Sequence, residues 1–88
     1  MTARDRIFHI LTETFKPAKL EVIDESDQHK GHHGVHAGRV ETHFRVIIES
    51  AAFAGKSRVD QHRMINLALK DELAGGVHAL AIIARSAG

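Results

Sequence analysis

The sequence has no cysteine, no tryptophan, no tyrosine and a single proline among its 88 residues. Without cysteine there is no disulfide framework, no cysteine-based zinc finger, no thiol nucleophile and no iron–sulfur cluster held by thiolates of this chain. No apolar run approaches the roughly 18 residues of a membrane span. The opening residues, Met1-Thr2-Ala3-Arg4-Asp5-Arg6, lack the apolar core of a secretory signal. The expectation is a cytoplasmic protein in a reducing compartment, away from membranes. Charge of one sign is absent too: 12 Lys and Arg stand against 11 Asp and Glu, for a formal net charge of +1. That balance excludes a polybasic arm or an acidic tail.

Histidine is what the chain has in abundance. There are eight, and protonating all of them would add eight positive charges to a nearly neutral molecule. The rest of the composition, 43% hydrophobic and 26% charged, is that of a soluble globular protein. The length suits one domain, residues 1–88, with one core.

Ile7, Ile10, Leu11 and Phe15 recur at helical spacing, with Phe8 at the edge of the stripe. Thr2 followed by Asp5 is a capping-box start, and Pro17 ends the helix because the residue before a proline avoids the helical region. Leu20–Ile23 alternates as a strand. Glu25–Arg39 holds three glycines and four histidines with almost nothing apolar, and reads as a functional loop of about 15 residues. Thr42–Glu49 is the clearest strand, with Phe44, Val46 and Ile48 on one side and His43, Arg45 and Glu49 on the other. Ala51–Lys56 turns around Gly55. A second helix starts at Ser57 and runs to Leu73 on an apolar face of Met64, Ile65, Ala68, Leu69 and Leu73, until Gly75-Gly76 stops it. Val77–Ala84 is apolar on both parities and reads as a strand buried on much of both faces.

The order is α-β-β-α-β, an α+β class. The first two strands pair antiparallel around the long loop. The helical crossover makes the second and third parallel, with a right-handed connection. The result is a three-stranded mixed sheet with both helices on one face. Geometry follows from this topology. The loop and the start of the third strand lie at the same end, so His78 and the loop histidines converge although more than forty residues separate them. His62, near the start of the second helix, lies at the opposite end.

Two constellations compete with blander readings. His78 with His29, His32, His33 or His36 offers imidazole ligands for a transition metal, against a solvated glycine-rich loop and a structural His78. Two imidazoles alone make an incomplete site. Lys56, Arg58, Arg63 and Lys70, with His62, form a basic set around the second helix that could meet phosphates, against a solvated face partly neutralised by Asp60, Asp71 and Glu72. Gly31-His32-His33-Gly34 spells GxxG, but between two strands and not between the two helices that this backbone clamp needs. Ser26 and Ser57 lack a base and an orienting partner, and Asp24-Glu25 is a bare carboxylate pair, so an enzyme is not expected.

Four passages carry a resemblance over nearly the whole chain: Leu20-Glu21-Val22-Ile23-Asp24-Glu25-Ser26; Glu41-Thr42-His43-Phe44-Arg45-Val46; Phe53-Ala54-Gly55-Lys56-Ser57 continuing to Gln61-His62-Arg63-Met64-Ile65; and Glu72-Leu73-Ala74-Gly75-Gly76-Val77-His78-Ala79-Leu80-Ala81. In order and spacing they resemble the BolA family. The long His- and Gly-rich loop departs from that family's shortest members.

The resemblance implies an α-β-β-α-β fold comparable to the class II KH fold, and two activities. One is partnership with a monothiol glutaredoxin, sharing a glutathione-dependent [2Fe–2S] cluster at the interface. The other is transcriptional regulation through DNA, with effects on cell shape and stress response. It implies that His78 is one cluster ligand. The second lies in the loop, a Cys in one subgroup and a His in the other, and this cysteine-free chain is similar to the histidine subgroup. The family position after Asp-Glu-Ser matches His29, with His32 and His33 as alternatives. The DNA contacts would fall on Gly55–Arg63 and the second helix. A cluster with two histidines on one iron has a higher reduction potential than an all-thiolate one. The isolated chain is expected to hold no cluster.

Overall fold

The computed structural model describes residues 2–25, 43–77 and 79–87. Helix α1 spans Ala3–Phe15. Its capping box is complete: the Asp5 amide donates to Thr2 Oγ1 at 3.1 Å and the Thr2 amide to Asp5 Oδ2 at 3.4 Å. Ala3, Ile7, Leu11 and Phe15 recur every four residues and are buried. Lys16 adopts the left-handed region, φ 46°, directly before Pro17. The proline ring denies that residue the helical conformation, so the helix ends there.

Strand β1, Lys19–Asp24, pairs antiparallel with β2, His43–Ser50, from Lys19↔Glu49 to Asp24↔Phe44. A 3₁₀ turn, Ala51–Phe53, and Gly55 at φ 74° then lead into α2, Arg58–Ala68. A short α3, Lys70–Ala74, precedes β3, Ala79–Ser86. β3 lies parallel to β2 in an unbroken register from His43↔Ala79 to Ser50↔Ser86, and the strand order is β1-β2-β3. The mixed sheet expected from the topology is therefore present.

Burial alternates strictly along the central strand. Phe44, Val46, Ile48 and Ser50 are buried under the helices, while His43, Arg45, Ile47 and Glu49 stand half-exposed on the open face. Val22 joins the first set from β1; Ile65 and Leu69 meet it from the helical layer, with Phe53 from the turn. The Phe15 and Phe53 rings lie 5.0 Å apart, tilted by 40°. Long-range contacts fix the start of α1: Arg4 Nε donates to the Val22 carbonyl at 2.8 Å, and Arg6 Nε pairs with Glu72 Oε2 at 2.9 Å.

Three sequence expectations need correction. The second helix is not continuous from Ser57 to Leu73 but kinks at Leu69, φ −100° and ψ 15°, which divides it into α2 and α3. The Leu69 amide still reaches Ile65 O and the Leu73 amide still reaches Leu69 O, so the apolar stripe continues through the kink and hides it from periodicity. The third strand starts at Ala79 and not at Val77, and it runs on to Ser86. Nor is it buried on both faces. It is an edge strand of a sheet with one open side, so Ala79, Ile83 and Arg85 are exposed, and its inward Leu80, Ile82 and Ala84 are only half-buried. The Glu25 amide also extends the ladder by donating to His43 O at 2.8 Å, so the excursion between β1 and β2 begins after Glu25.

Candidate functional site

One end of the sheet gathers three chain ends. β1 finishes there, and the Glu25 amide is bonded to His43 O. β2 begins there at His43, and β3 begins beside it, with Ala79 in register with His43. The preceding turn is fixed by backbone chemistry. Gly75 N–H bonds to Asp71 O and Glu72 O, Gly76 takes φ 130°, which favours glycine, and Val77 N–H bonds to Glu72 O. Val77 is then buried in the core. The chain is held on both sides of position 78, by the Val77 anchor and by the Ala79 ladder. His78, His29, His32, His33 and His36 themselves lie outside the described residues. Their flanking anchors do share one sheet end, as the topology requires.

A charge pair sits at this end. Arg45 Nε donates to Glu25 Oε2 at 2.7 Å, and only 18% of the Glu25 side chain is exposed. This uses the Glu25 carboxylate as an ion-pair partner on the open face, beside half-buried His43. Sequence reasoning missed the pair. Its signal was available, since Arg45 has the same parity as His43 and the antiparallel register brings it to the end of β1.

The chemistry of the donor set limits what can be held. Among the described residues, no group of three or more His, Cys, Asp or Glu could hold a metal ion. With no cysteine in the chain, imidazoles are the nitrogen donors available for iron, and thiolate ligands have no source within it. Two imidazoles fit one half of a [2Fe–2S] core and leave the other half unfilled.

The basic residues gather elsewhere. Lys56, Arg58, Arg63 and Lys70 are all exposed. Lys56 and Arg58 flank the N-cap Ser57, whose Oγ accepts from the Asp60 amide at 3.1 Å. Gln61 Nε2 donates to Lys56 O at 3.0 Å and secures the approach to the helix. Lys70 stands beyond the kink, about 18 Å along the helical path from Arg58 at 1.5 Å per residue. These four residues span the length of the α2–α3 segment and do not form one compact cluster. His62 is half-buried on α2, and His9 is exposed on α1. Among the described residues, no helix is long and apolar enough to cross a membrane.

Comparison with known proteins follows the same lines. The family model described as BolA-like protein matches residues 11–88. A Sinorhizobium protein described as an uncharacterized protein in the cobS 5′ region is 52% identical over 82 residues, covering 93% of this chain and 88% of that one. A Vibrio cholerae protein named DNA-binding transcriptional regulator BolA is 44% identical over 79 residues, covering 90% of this chain and 70% of the relative. Among solved structures, the BolA domain of SufE1 from Arabidopsis thaliana superposes with a TM-score of 0.85 at 45% identity, covering 99% of this chain and 94% of that one.

Proposed function

Because the chain belongs to the BolA-like protein family, we propose that it is a non-enzymatic binding module that partners a monothiol glutaredoxin and co-ligates a glutathione-dependent [2Fe–2S] cluster. Its work is iron–sulfur trafficking or iron and stress regulation, in the cytoplasm. The observation that carries this reading is the common sheet end of Glu25, His43, Val77 and Ala79, where the histidine-rich excursion and the position of His78 are both tethered. His78 and one of His29, His32 or His33 would hold one iron. The glutaredoxin cysteine and glutathione would supply the thiolates that this chain lacks. When bound, the cluster supplies one-electron chemistry and a transferable iron–sulfur unit. The chain's own contribution would be two neutral imidazoles. In mild acid an imidazole gains a proton and loses the lone pair that ligation needs, so loading should fall with pH.

The test is to mix the protein with a monothiol glutaredoxin, iron, sulfide and glutathione, and to record visible spectra and the mass of the complex. His78→Ala should return the spectrum to that of the glutaredoxin alone. Among His29→Ala, His32→Ala and His33→Ala, the variant that repeats this change identifies the second ligand. A parental spectrum and mass with His78→Ala would overturn the assignment.

A second reading, a DNA-binding transcriptional regulator, is favoured by the name of the Vibrio cholerae relative and by the exposure of Lys56, Arg58, Arg63 and Lys70. Phosphate contacts release counterions, so binding to duplex DNA should weaken as salt rises. Reversing Lys56, Arg58 and Arg63 to Glu should flatten the slope of log affinity against log salt by about 0.9 per contact removed. Lys70→Glu alone tests whether the surface continues past Leu69. Slopes equal to the parent's would reject this face. The two readings use different residues and are compatible.

A further inference from the structure

We propose that β3 pairs antiparallel with the β3 of a second copy of this chain, joining two three-stranded sheets into one of six strands. The two edges of the sheet are built differently. An edge strand offers unpaired N–H and C=O groups to any other strand, and proteins usually blunt it with charge, proline or a covering group. β1 is blunted in this way. Pro17 precedes it, Lys19, Glu21 and Asp24 lie along it, and the Arg4 guanidinium occupies the Val22 carbonyl. Among the described residues, β3 has fewer of these defences. Ala79-Leu80-Ala81-Ile82-Ile83-Ala84-Arg85-Ser86 carries one charge, no proline and no glycine, and it keeps register with β2 without a bulge.

The helical side of the sheet reaches β3 but covers it incompletely. Phe44, Val46 and Ile48 are at most 1% exposed, whereas their register partners Leu80, Ile82 and Ala84 face the same side and remain half-buried. Another strand beside β3 would cover them further.

The backbone selects the groups that bond. The Ala87 amide donates to Ser50 O on β2, at 3.3 Å. Along an unbroken parallel strand the same side recurs every second residue, so Ala79, Ala81, Ile83 and Arg85 address β2. Leu80, Ile82 and Ala84 therefore turn their N–H and C=O groups to the free edge.

The occupant follows from the strand's own sequence. A two-fold axis through Ile82 keeps inward residues opposite inward ones. It sets Leu80 against Ala84 of the second copy and Ile83 against its Ala81, a large side chain facing a small one at both, with the two Ile82 side chains meeting on the axis. Arg85 falls opposite Ala79, so no like charges meet. On the open face, Ile47 and Ile83 of one copy continue into Ala81 of the other. This self-complementarity favours a second copy over an unrelated strand.

Sedimentation equilibrium of the isolated chain, without iron or glutaredoxin, tests this separately from the cluster reading. From low micromolar to near millimolar concentration, the mass should rise from 9.7 kDa towards twice that value. Ala84→Pro removes an edge-facing N–H and spares the ladder to β2, a place where a strand tolerates proline. Ile83→Lys changes a side chain that is 39% exposed and sets a cation against Ala81 of the second copy, next to its Arg45. Both variants should keep the parental circular dichroism and stay at the monomer mass. If Ala84→Pro does not fold, Ile83→Lys decides alone. A parent that stays at 9.7 kDa throughout, or a dimer that survives the substitutions, would overturn the proposal.

Discussion

Phe53→Ala is expected to lower the free energy of unfolding by about 3–5 kcal/mol, the range for truncating a buried aromatic ring. Phe53 is fully buried, and its ring lies 5.0 Å from that of Phe15. It belongs to the 3₁₀ turn between β2 and α2, so it ties the end of α1 to the crossover that makes β3 parallel. Because the ring is fully buried in the core against Phe15, and its turn packs beside β3, the space it leaves cannot close by moving one side chain. For an 88-residue chain the total stability is about 4–13 kcal/mol, at 0.05–0.15 kcal/mol per residue. The substitution therefore removes a large share of the whole, and Tm should fall by about 12–40 °C. Thermal and urea unfolding would measure it, with Phe8→Ala as the control. Phe8 is 39% exposed and lies under the Arg4 guanidinium at 5.8 Å. Its loss should cost about 1 kcal/mol or less, the scale of an exposed cation–π contact. Equal losses at the two positions would contradict the packing around Phe53.

Ser50→Ala should cost about 2–3 kcal/mol, although it removes a single oxygen. Ser50 is 1% exposed, at the end of β2. Its Oγ donates to the Phe15 carbonyl at 2.7 Å and accepts from the Ala52 amide at 3.1 Å. Alanine leaves both backbone groups without that partner, one of them in a fully buried setting. The expected cost is therefore the desolvation of orphaned groups and not a loss of packing. Urea unfolding should show a lower midpoint with an unchanged m value. A loss below about 1 kcal/mol would mean that this hydroxyl does not tie α1 to β2.

Much of this architecture is legible in the sequence because it rests on local signals. The alternation of Phe44, Val46 and Ile48 shows which side of β2 is buried, and Thr2, Ser57 and Pro17 mark helix ends through the backbone groups they satisfy or remove. Element order then requires the sheet topology and brings Glu25, His43 and Ala79, which flank the histidine-bearing segments, to one end. What is not legible has a physical reason in each case. β3 is apolar on both parities, so its pattern cannot say which face is open or where the ladder starts. The kink at Leu69 preserves the apolar stripe, so periodicity passes through it. Ser50 reads as an ordinary polar residue after a strand, because its carbonyl partner is 35 residues away. The Glu25–Arg45 pair likewise depends on register, which no single segment contains.

The Glu25–His43 hydrogen bond that closes the β1–β2 ladder has a consequence for how this protein can vary. Once that bond and the strand pairs behind it have formed, the two ends of the connection are held together. The closure entropy of any flexible connection grows only with the logarithm of its length, about 0.6 kcal/mol for each doubling. Closure entropy therefore sets little limit on how long a connection this ladder can carry, and the Phe15–Ser50–Phe53 cluster stands at the far end of the sheet.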